Sequence, residues 1–265
     1  MDFFPLWVIS VGLFAALLIA SEAGKRLRDR HAASAQADGD AFAMTSVLGL
    51  LALLIGFTFS IALARYEERR ELVVQEANAI GTAWLRTQLL DSDDRERVRG
   101  VLRRYVDARV AFGQARTSTQ ETNLYRRTEA LQGELWSTLM AAVASFRDSP
   151  RAALLVTSTN EAIDLAAERY AVRQAHIPSR ILRTLAIFAL ISAGMVGYER
   201  GSQRKATTLL FILLTLAVSL VIDLDRPTTG ITSVPQEPML QLRQGLAAQV
   251  TAAAAGPVHP GLPMP

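Results

Sequence analysis

Few residues of this chain have the types and the spacing that catalysis or metal binding requires. The three histidines, His31, His176 and His259, lie in different regions, and none has a second histidine at helical spacing. The chain contains no cysteine, which excludes thiol catalysis, disulfides and cysteine-ligated metals. Ser202 and Lys205 match a Ser-x-x-Lys pattern, but they lie in a short loop without the motifs that accompany it in enzymes. The sequence therefore predicts no catalytic site, no cofactor and no metal site.

An acidic turn has two interpretations. Asp223 and Asp225 precede Arg226 in the sequence Asp-Leu-Asp-Arg-Pro. Carboxylates this close together can bind a cation, but the spacing of a calcium loop is missing. We therefore expect these carboxylates to cap the turn at which the chain leaves an apolar segment.

A line of small residues runs along one apolar segment. Five residues recur three or four positions apart and so share one face of a helix: Thr45, Gly49, Ala52, Gly56 and Ser60. Small residues let membrane helices pack closely, which is the first interpretation. In the second interpretation the face lines a narrow pathway, which dewetting at Phe57 or Phe59 would close. The sequence leaves both open.

Two groups of polar residues lie in the hydrophilic part of the chain. Glu76, Asn78 and Thr82 follow the second apolar segment on the same predicted helix, and Asn160 and Asp164 lie on a later one. Asn160 falls on the predicted apolar stripe of its helix. Because a buried asparagine needs hydrogen-bond partners, we expect Asn160 to pair across the bundle and to set its register.

Four apolar segments position these residues: Phe3–Ala20, Ala41–Ala64, Ile181–Tyr198 and Ala206–Ile222. Each is long enough to cross a hydrocarbon core of about 30 Å at about 1.5 Å per residue. The second and fourth carry no ionisable residue between their ends, whereas ion-coupled transporters usually place one near the middle of the bilayer. The sequence therefore predicts an integral membrane protein in which any transport is passive.

The hydrophilic stretch between the second and third segments is predicted to be a helical bundle. It shows helical stripes and no strand-like alternation, and the second span continues to about Leu90. The predicted fold class is all-α, with four transmembrane helices and a four-helix-bundle extramembrane insert between the second and third spans. The predicted domains are a first transmembrane hairpin, the insert, a second hairpin and a tail that is disordered after about residue 246: 1–64, 65–179, 180–224 and 225–265.

Positive charges predict the orientation. Lysines and arginines follow the first segment at 25–30 and fill the short loop at 199–205, and none precedes the first segment. The positive-inside rule then places both short loops in the cytoplasm and the insert and both termini outside. Arg65 and Arg69, at the membrane edge of the insert, would attract anions. The other arginines alternate with acidic residues, so nucleic acid is not an expected partner.

The order of several short segments resembles that of a known bacterial family. These segments are Gly56-Phe57, Glu76-Ala-Asn78-Ala-Ile-Gly-Thr82 with Arg86, Asn160-Glu-Ala-Ile-Asp164, Ile177-Pro178, and Asp223-Leu-Asp225-Arg226-Pro with Gly230. They are similar to the family described as having a bestrophin-like domain. The resemblance implies a four-span, channel-type subunit of the bacterial inner membrane that assembles into a ring around an anion pathway. It also implies a cytosolic helical domain, which is the opposite of the orientation that the charges predict.

The sequence therefore predicts an oligomeric, passive, channel-like membrane module with anions as the candidate permeant. The alternative is a membrane-anchored helical bundle that senses a ligand or docks a partner without transport. The short loops between the spans argue against the alternative because they contain no output domain. The expected partners are the lipid bilayer, other copies of the chain and small inorganic ions.

Overall fold

The computed structural model describes residues 5–30, 37–200, 203–227 and 230–255. Within these ranges the chain is almost entirely helical and contains no strand. Eight α-helices and two short 3₁₀ helices follow one another: α1 Leu6–Arg30, α2 Ala37–Arg86, 3₁₀ Thr87–Leu89, α3 Ser92–Gly113, α4 Ser118–Ala142, 3₁₀ Ala144–Phe146, α5 Pro150–Gln174, α6 Ser179–Arg200, α7 Arg204–Asp225 and α8 Glu237–Ala255.

Local signals in the sequence explain where helices begin. Thr117 precedes α4, and its hydroxyl accepts a hydrogen bond from the backbone N–H of Gln120 at 3.2 Å. Ser149 caps α5 in the same way through the N–H of Ala152. Pro150 occupies the first position of α5, where no backbone N–H is needed. Pro178 lies in the break between α5 and α6, because a proline disfavours helical geometry in the residue before it.

The first of two compact units contains the apolar helices. It comprises the described residues up to Glu67 and those from Ala175 to Ser233. In its core, α1 packs against α6 and α7 around buried residues such as Leu17, Leu185 and Phe211. Among the described residues, four stretches contain a segment long and apolar enough to cross a membrane: Leu6–Arg30, Phe42–Leu89, Pro150–Glu199 and Arg204–Asp225. The predicted all-α, four-span fold is thus confirmed.

The second unit is the helical bundle. It comprises Glu68–Gln174 together with the chain from Val234 onward, and so contains the end of α2, all of α3, α4 and α5, and α8. Its core is built around fully buried residues that include Trp84, Tyr105, Leu135 and Leu155. The predicted bundle is present, and a fifth helix, α8, is added to it.

Helix α8 corrects the prediction for the tail. Residues 247–255 are helical, so the expected disorder after residue 246 is wrong for them, and residues 256–265 lie outside the described ranges. Met239 and Leu246 are buried in the bundle core, and Trp84 Nε1 donates to Gln249 Oε1 at 2.8 Å. Met239, Leu246 and Val250 lie on one helical face, a stripe that the Ala- and Gly-rich composition conceals.

Candidate functional site

The small-residue line of α2 faces away from its own protomer. Thr45, Gly49, Ala52, Gly56 and Ser60 are all exposed. Among the described residues, no atom other than those of α2 and chain neighbours lies within 4 Å of where a Cβ would stand at Gly49 or Gly56. The line therefore does not serve helix packing inside the protomer. The remaining roles are contact with another copy and a face along a pathway.

The two candidate gate residues have different surroundings. The side chain of Phe57 is 61% exposed. Phe59 is half-buried and packs against a cluster formed by Ala62, Ile177, Val221 and Leu224 of the same unit. Only Phe57 is therefore available to a pathway along the outward face of α2.

Close helix packing through small residues occurs instead between α1 and α6, which the sequence reading missed. A Cβ at Gly24 would lie 2.0 Å from the carbonyl oxygen of Gly194, and a Cβ at Gly197 would lie 1.9 Å from that of Ser21. Only glycine permits this approach of the two backbones. The available signal was the four-residue spacing of small residues, Ala20 with Gly24 and Ala193 with Gly197.

The charged residues that follow the span on α2 differ from the expected arrangement. Arg69 is only 4% exposed, and its Nε donates to the carbonyl of Val172 at 3.4 Å. Arg65 is half-buried. The exposed charged side chains in this stretch are three carboxylates and one guanidinium, a sum of −2: Glu67, Glu68, Glu71 and Arg70. The prediction that Arg69 attracts anions from the membrane edge is wrong, because its side chain is buried in the bundle.

A buried charge cluster joins three helices of the bundle. Glu76 of α2 and Arg109 of α3 are fully buried, and Arg169 of α5 is nearly so. Arg109 donates from Nε to Glu76 Oε1 and from Nη2 to Oε2 at 3.1 Å, and Arg169 Nη1 donates to the same Oε2 at 2.5 Å. Burial alone would lower the pKa of Arg109, but the Glu76 carboxylate outweighs that effect and raises it. The ion pair is therefore maintained without solvent.

The ring of Phe112 lies at the centre of this cluster. The Cζ atoms of Arg109, Arg169 and Arg173 lie 4.5, 5.5 and 5.0 Å from the ring centroid. Arg173 also pairs with Glu121 of α4 at 3.2 Å and donates to a carbonyl oxygen at the end of α3. All four helices of the predicted bundle thus contribute a charged group to one buried site.

The sequence reading singled out Glu76 but missed its partners. Arg169 and Arg173 lie four positions apart and follow Ala162 and Ala166 on the buried face of α5. Small residues on that face leave room for long side chains. Arginines continuing a line of alanines were the signal available in the sequence.

The other polar positions do not converge on one site. Asn78, Asn160 and Asp164 are exposed, whereas Thr82 and Arg86 are half-buried. Arg86 donates to the carbonyl of Leu154 at 2.9 Å. The prediction that Asn160 is buried and paired across the bundle is wrong. The core-facing side of α5 consists of smaller residues than the stripe inferred from the sequence: Ala152, Leu155, Thr159, Ala162 and Ala166.

The two carboxylates at the end of α7 accept hydrogen bonds from backbone N–H groups. Asp223 accepts hydrogen bonds from the N–H groups of Ile231 at 2.6 Å and Thr232 at 3.0 Å. Asp225 Oδ1 accepts one from the N–H of Ile177 at 2.8 Å. These contacts are those of capping carboxylates. In the described part of the chain, no group of three or more His, Asp or Glu side chains is arranged to hold a metal ion.

Several solved structures share this fold. The crystal structure of a point variant of a bacterial bestrophin homologue from Klebsiella pneumoniae has a TM-score of 0.68 at 12% identity, covering 92% of this chain and 98% of that chain. Another crystal structure of a bacterial bestrophin homologue from Klebsiella pneumoniae has a TM-score of 0.60 at 15% identity, with 91% and 97% covered. A variant described as a membrane protein has a TM-score of 0.62 at 13% identity, with 97% and 99% covered. At these identities the likeness shows the fold alone.

Family membership rests on the sequence. Among curated protein sequences, none is significantly similar to this chain. The sequence model of one family, described as a bestrophin-like domain, matches residues 10–239. This range contains α2 to α7 and most of α1, and it confirms the resemblance found in the short segments. The chain belongs to the bestrophin-like domain family.

Proposed function

We propose that this chain is one subunit of a homo-oligomeric, passive ion channel whose pathway is lined by the outward face of α2. The observation that carries the proposal is the exposure of the whole small-residue line from Thr45 to Ser60. Copies arranged around an axis would bring these faces together, and their hydroxyls and small side chains suit a narrow aqueous pathway. Membership of the bestrophin-like family supports a channel-like role.

The composition of the spans supports passive transport. The second and fourth apolar segments contain no titratable side chain between their ends that could couple flux to a proton. Ions would therefore follow their own gradient and the membrane potential, which is worth about 2.3 kcal/mol per charge per 100 mV.

A second part of the proposal concerns the charge of the ion that passes through the channel. The resemblance implies anions, but Arg69, which we expected to attract them, is buried. The exposed charges from Glu67 to Glu71 sum to −2 and would concentrate cations near α2. The exposed side chains of this stretch therefore favour cations over the anions that the resemblance implies.

A reversal-potential measurement tests both parts. Purified protein in liposomes under a potassium chloride gradient should pass current that reverses near the potassium equilibrium potential. Glu71→Lys should shift the reversal toward chloride, whereas Glu96→Lys, an exposed position on α3, should not. Reversal near the chloride potential in the unmodified protein would restore the anion assignment.

Two outcomes would overturn the channel itself. Liposomes that stay silent over a range of pH and in both orientations would favour the sensing or docking alternative. Native mass spectrometry that finds only monomers would remove the ring on which a pathway along α2 depends.

A further inference from the structure

A cavity of about 320 Å³ lies between α1 and α7 at one end of the apolar unit. Leu18, Ser21, Glu22 and Lys25 line it from α1, at the helical spacing of a single face. Arg204, Thr207 and Thr208 line it from the first turns of α7. Its lining therefore combines one apolar side chain, Leu18, with two cationic groups, one carboxylate and three hydroxyls.

The place of the cavity along the helices fixes its depth in the membrane. Lys25 lies five positions after the end of the first apolar segment, and Arg204 lies two positions before the start of the fourth. The same end of α1 is tied to the end of α6, because Arg28 Nη1 donates to the carbonyls of Tyr198 at 3.0 Å and Glu199 at 2.8 Å. The cavity thus lies at the boundary between hydrocarbon and water.

We propose that this cavity binds the headgroup of an anionic phospholipid. The phosphate would be held by Lys25 and Arg204, with the hydroxyls of Ser21 and Thr207 beside it, and an acyl chain would lie along Leu18. Glu22 is the one carboxylate on the wall, and it pairs with Arg26 at 3.5 Å. The three charged wall residues therefore sum to +1, which disfavours the second, positive group of a zwitterionic lipid.

Native mass spectrometry of the full chain provides the test, with phosphatidylglycerol and phosphatidylcholine as probes. The unmodified protein should retain phosphatidylglycerol in preference to phosphatidylcholine. Since each basic residue near an anionic lipid contributes appreciably, Lys25→Glu with Arg204→Glu should lower the apparent affinity by at least about tenfold. The milder pair Lys25→Gln with Arg204→Gln should lower it less, and it keeps the test valid if charge reversal impairs folding.

A matched control separates a built site from general surface charge. Arg30→Glu with Lys205→Glu makes the same change in charge at the same ends of α1 and α7, but neither residue lines this cavity. This control should retain phosphatidylglycerol as the unmodified protein does. Equal losses in both pairs, no preference between the two lipids, or displacement of the lipid by inorganic phosphate at constant ionic strength would overturn the proposal. None of these outcomes depends on ion conduction.

Discussion

The carboxylate of Glu76 links more of the bundle than any other single side chain identified from the sequence. It accepts hydrogen bonds from Arg109 and Arg169, and Arg169 in turn donates to Gln236 Oε1 at 2.6 Å just before α8. A buried ion pair is not by itself a large source of stability, because desolvation offsets much of the attraction. Removing one partner is costly, however, since the others remain charged and without water.

Glu76→Gln should therefore destabilise the bundle. The change leaves three buried guanidinium groups with only Glu121 as a carboxylate partner, and breaking such a pair typically costs about 3–5 kcal/mol. Urea unfolding in detergent, followed by tryptophan fluorescence, to which buried Trp84 contributes, would measure the loss. Glu134→Gln is the control, because Glu134 pairs with Arg104 on the exposed surface and should matter little. Similar unfolding midpoints for both variants would contradict a structural role for Glu76.

The two phenylalanines of α2 give a prediction that separates pathway from packing. Phe57→Ala should raise the single-channel conductance without changing stability, because its ring projects outward. Phe59→Ala should leave conductance unchanged but destabilise the protomer by about 1–2 kcal/mol, since its ring packs against Ile177 and Val221. Planar-bilayer recording and thermal unfolding would test the pair. The opposite assignment of effects would show that Phe59 is the gate.

Among the helices, α1 and α6 make the closest backbone contact seen at any glycine of the described residues. The contact is centred on Gly24, Gly194 and Gly197. In a membrane, where apolar side chains gain little by leaving lipid, such close packing is a main source of helix association. Gly49 and Gly56 in the apolar part of α2 have open space instead, so the two sets of small residues serve different purposes.

Gly197→Ala should consequently lower the stability of the protomer, whereas Gly56→Ala should raise it. At Gly197 the new methyl would collide with the backbone of Ser21, and overpacking of this kind typically costs about 1–3 kcal/mol. At Gly56 the methyl meets no atom of the described residues beyond the backbone of α2 itself, and it should raise helix stability by up to about 1 kcal/mol. Thermal unfolding of the two purified variants in one detergent provides the comparison. If Gly56→Ala were the more damaging change to the isolated protomer, the outward orientation of its face would be wrong.

The helices themselves were largely predictable, and their buried faces were not. Apolar length specifies a span, and turn residues such as Thr117 and Pro150 mark helix ends, so both can be read from one chain. The buried face of α5 was misjudged at Asn160 because the core there accepts alanines and arginines where the pattern suggested larger apolar residues. Helix α8 was missed because its burial depends on contacts with Trp84 and Gly81, which are distant in the sequence.

For the whole molecule, the sequence places the candidate site on α2. It does not show whether the small-residue face of α2 points into the protomer or away from it. The five small residues predict a shared face, and only the packing of the protomer reveals that this face is outward. The charge near it was misjudged for a similar reason: the alternation of Arg69 and Arg70 with Glu68 and Glu71 does not reveal which side chains are buried. The spacing of residues in the sequence shows which of them share a helical face, whereas tertiary packing decides where that face points.

The orientation of the molecule in the membrane gives the last prediction. Seven lysines and arginines flank the short connections at the ends of α1, α6 and α7: Lys25, Arg26, Arg28, Arg30, Arg200, Arg204 and Lys205. Basic residues in short loops resist translocation, whereas those beside a long insert count for less. A phosphatase fused after Ser118 should therefore be active only outside the cytoplasm, and a fluorescent protein inserted at Ser202 should fluoresce inside. This orientation would also place the Lys25 and Arg204 cavity in the cytoplasmic leaflet, whose surface is negative. An inactive phosphatase together with a non-fluorescent insertion would reverse the assignment, and the bundle would then face the cytosol as the resemblance implies.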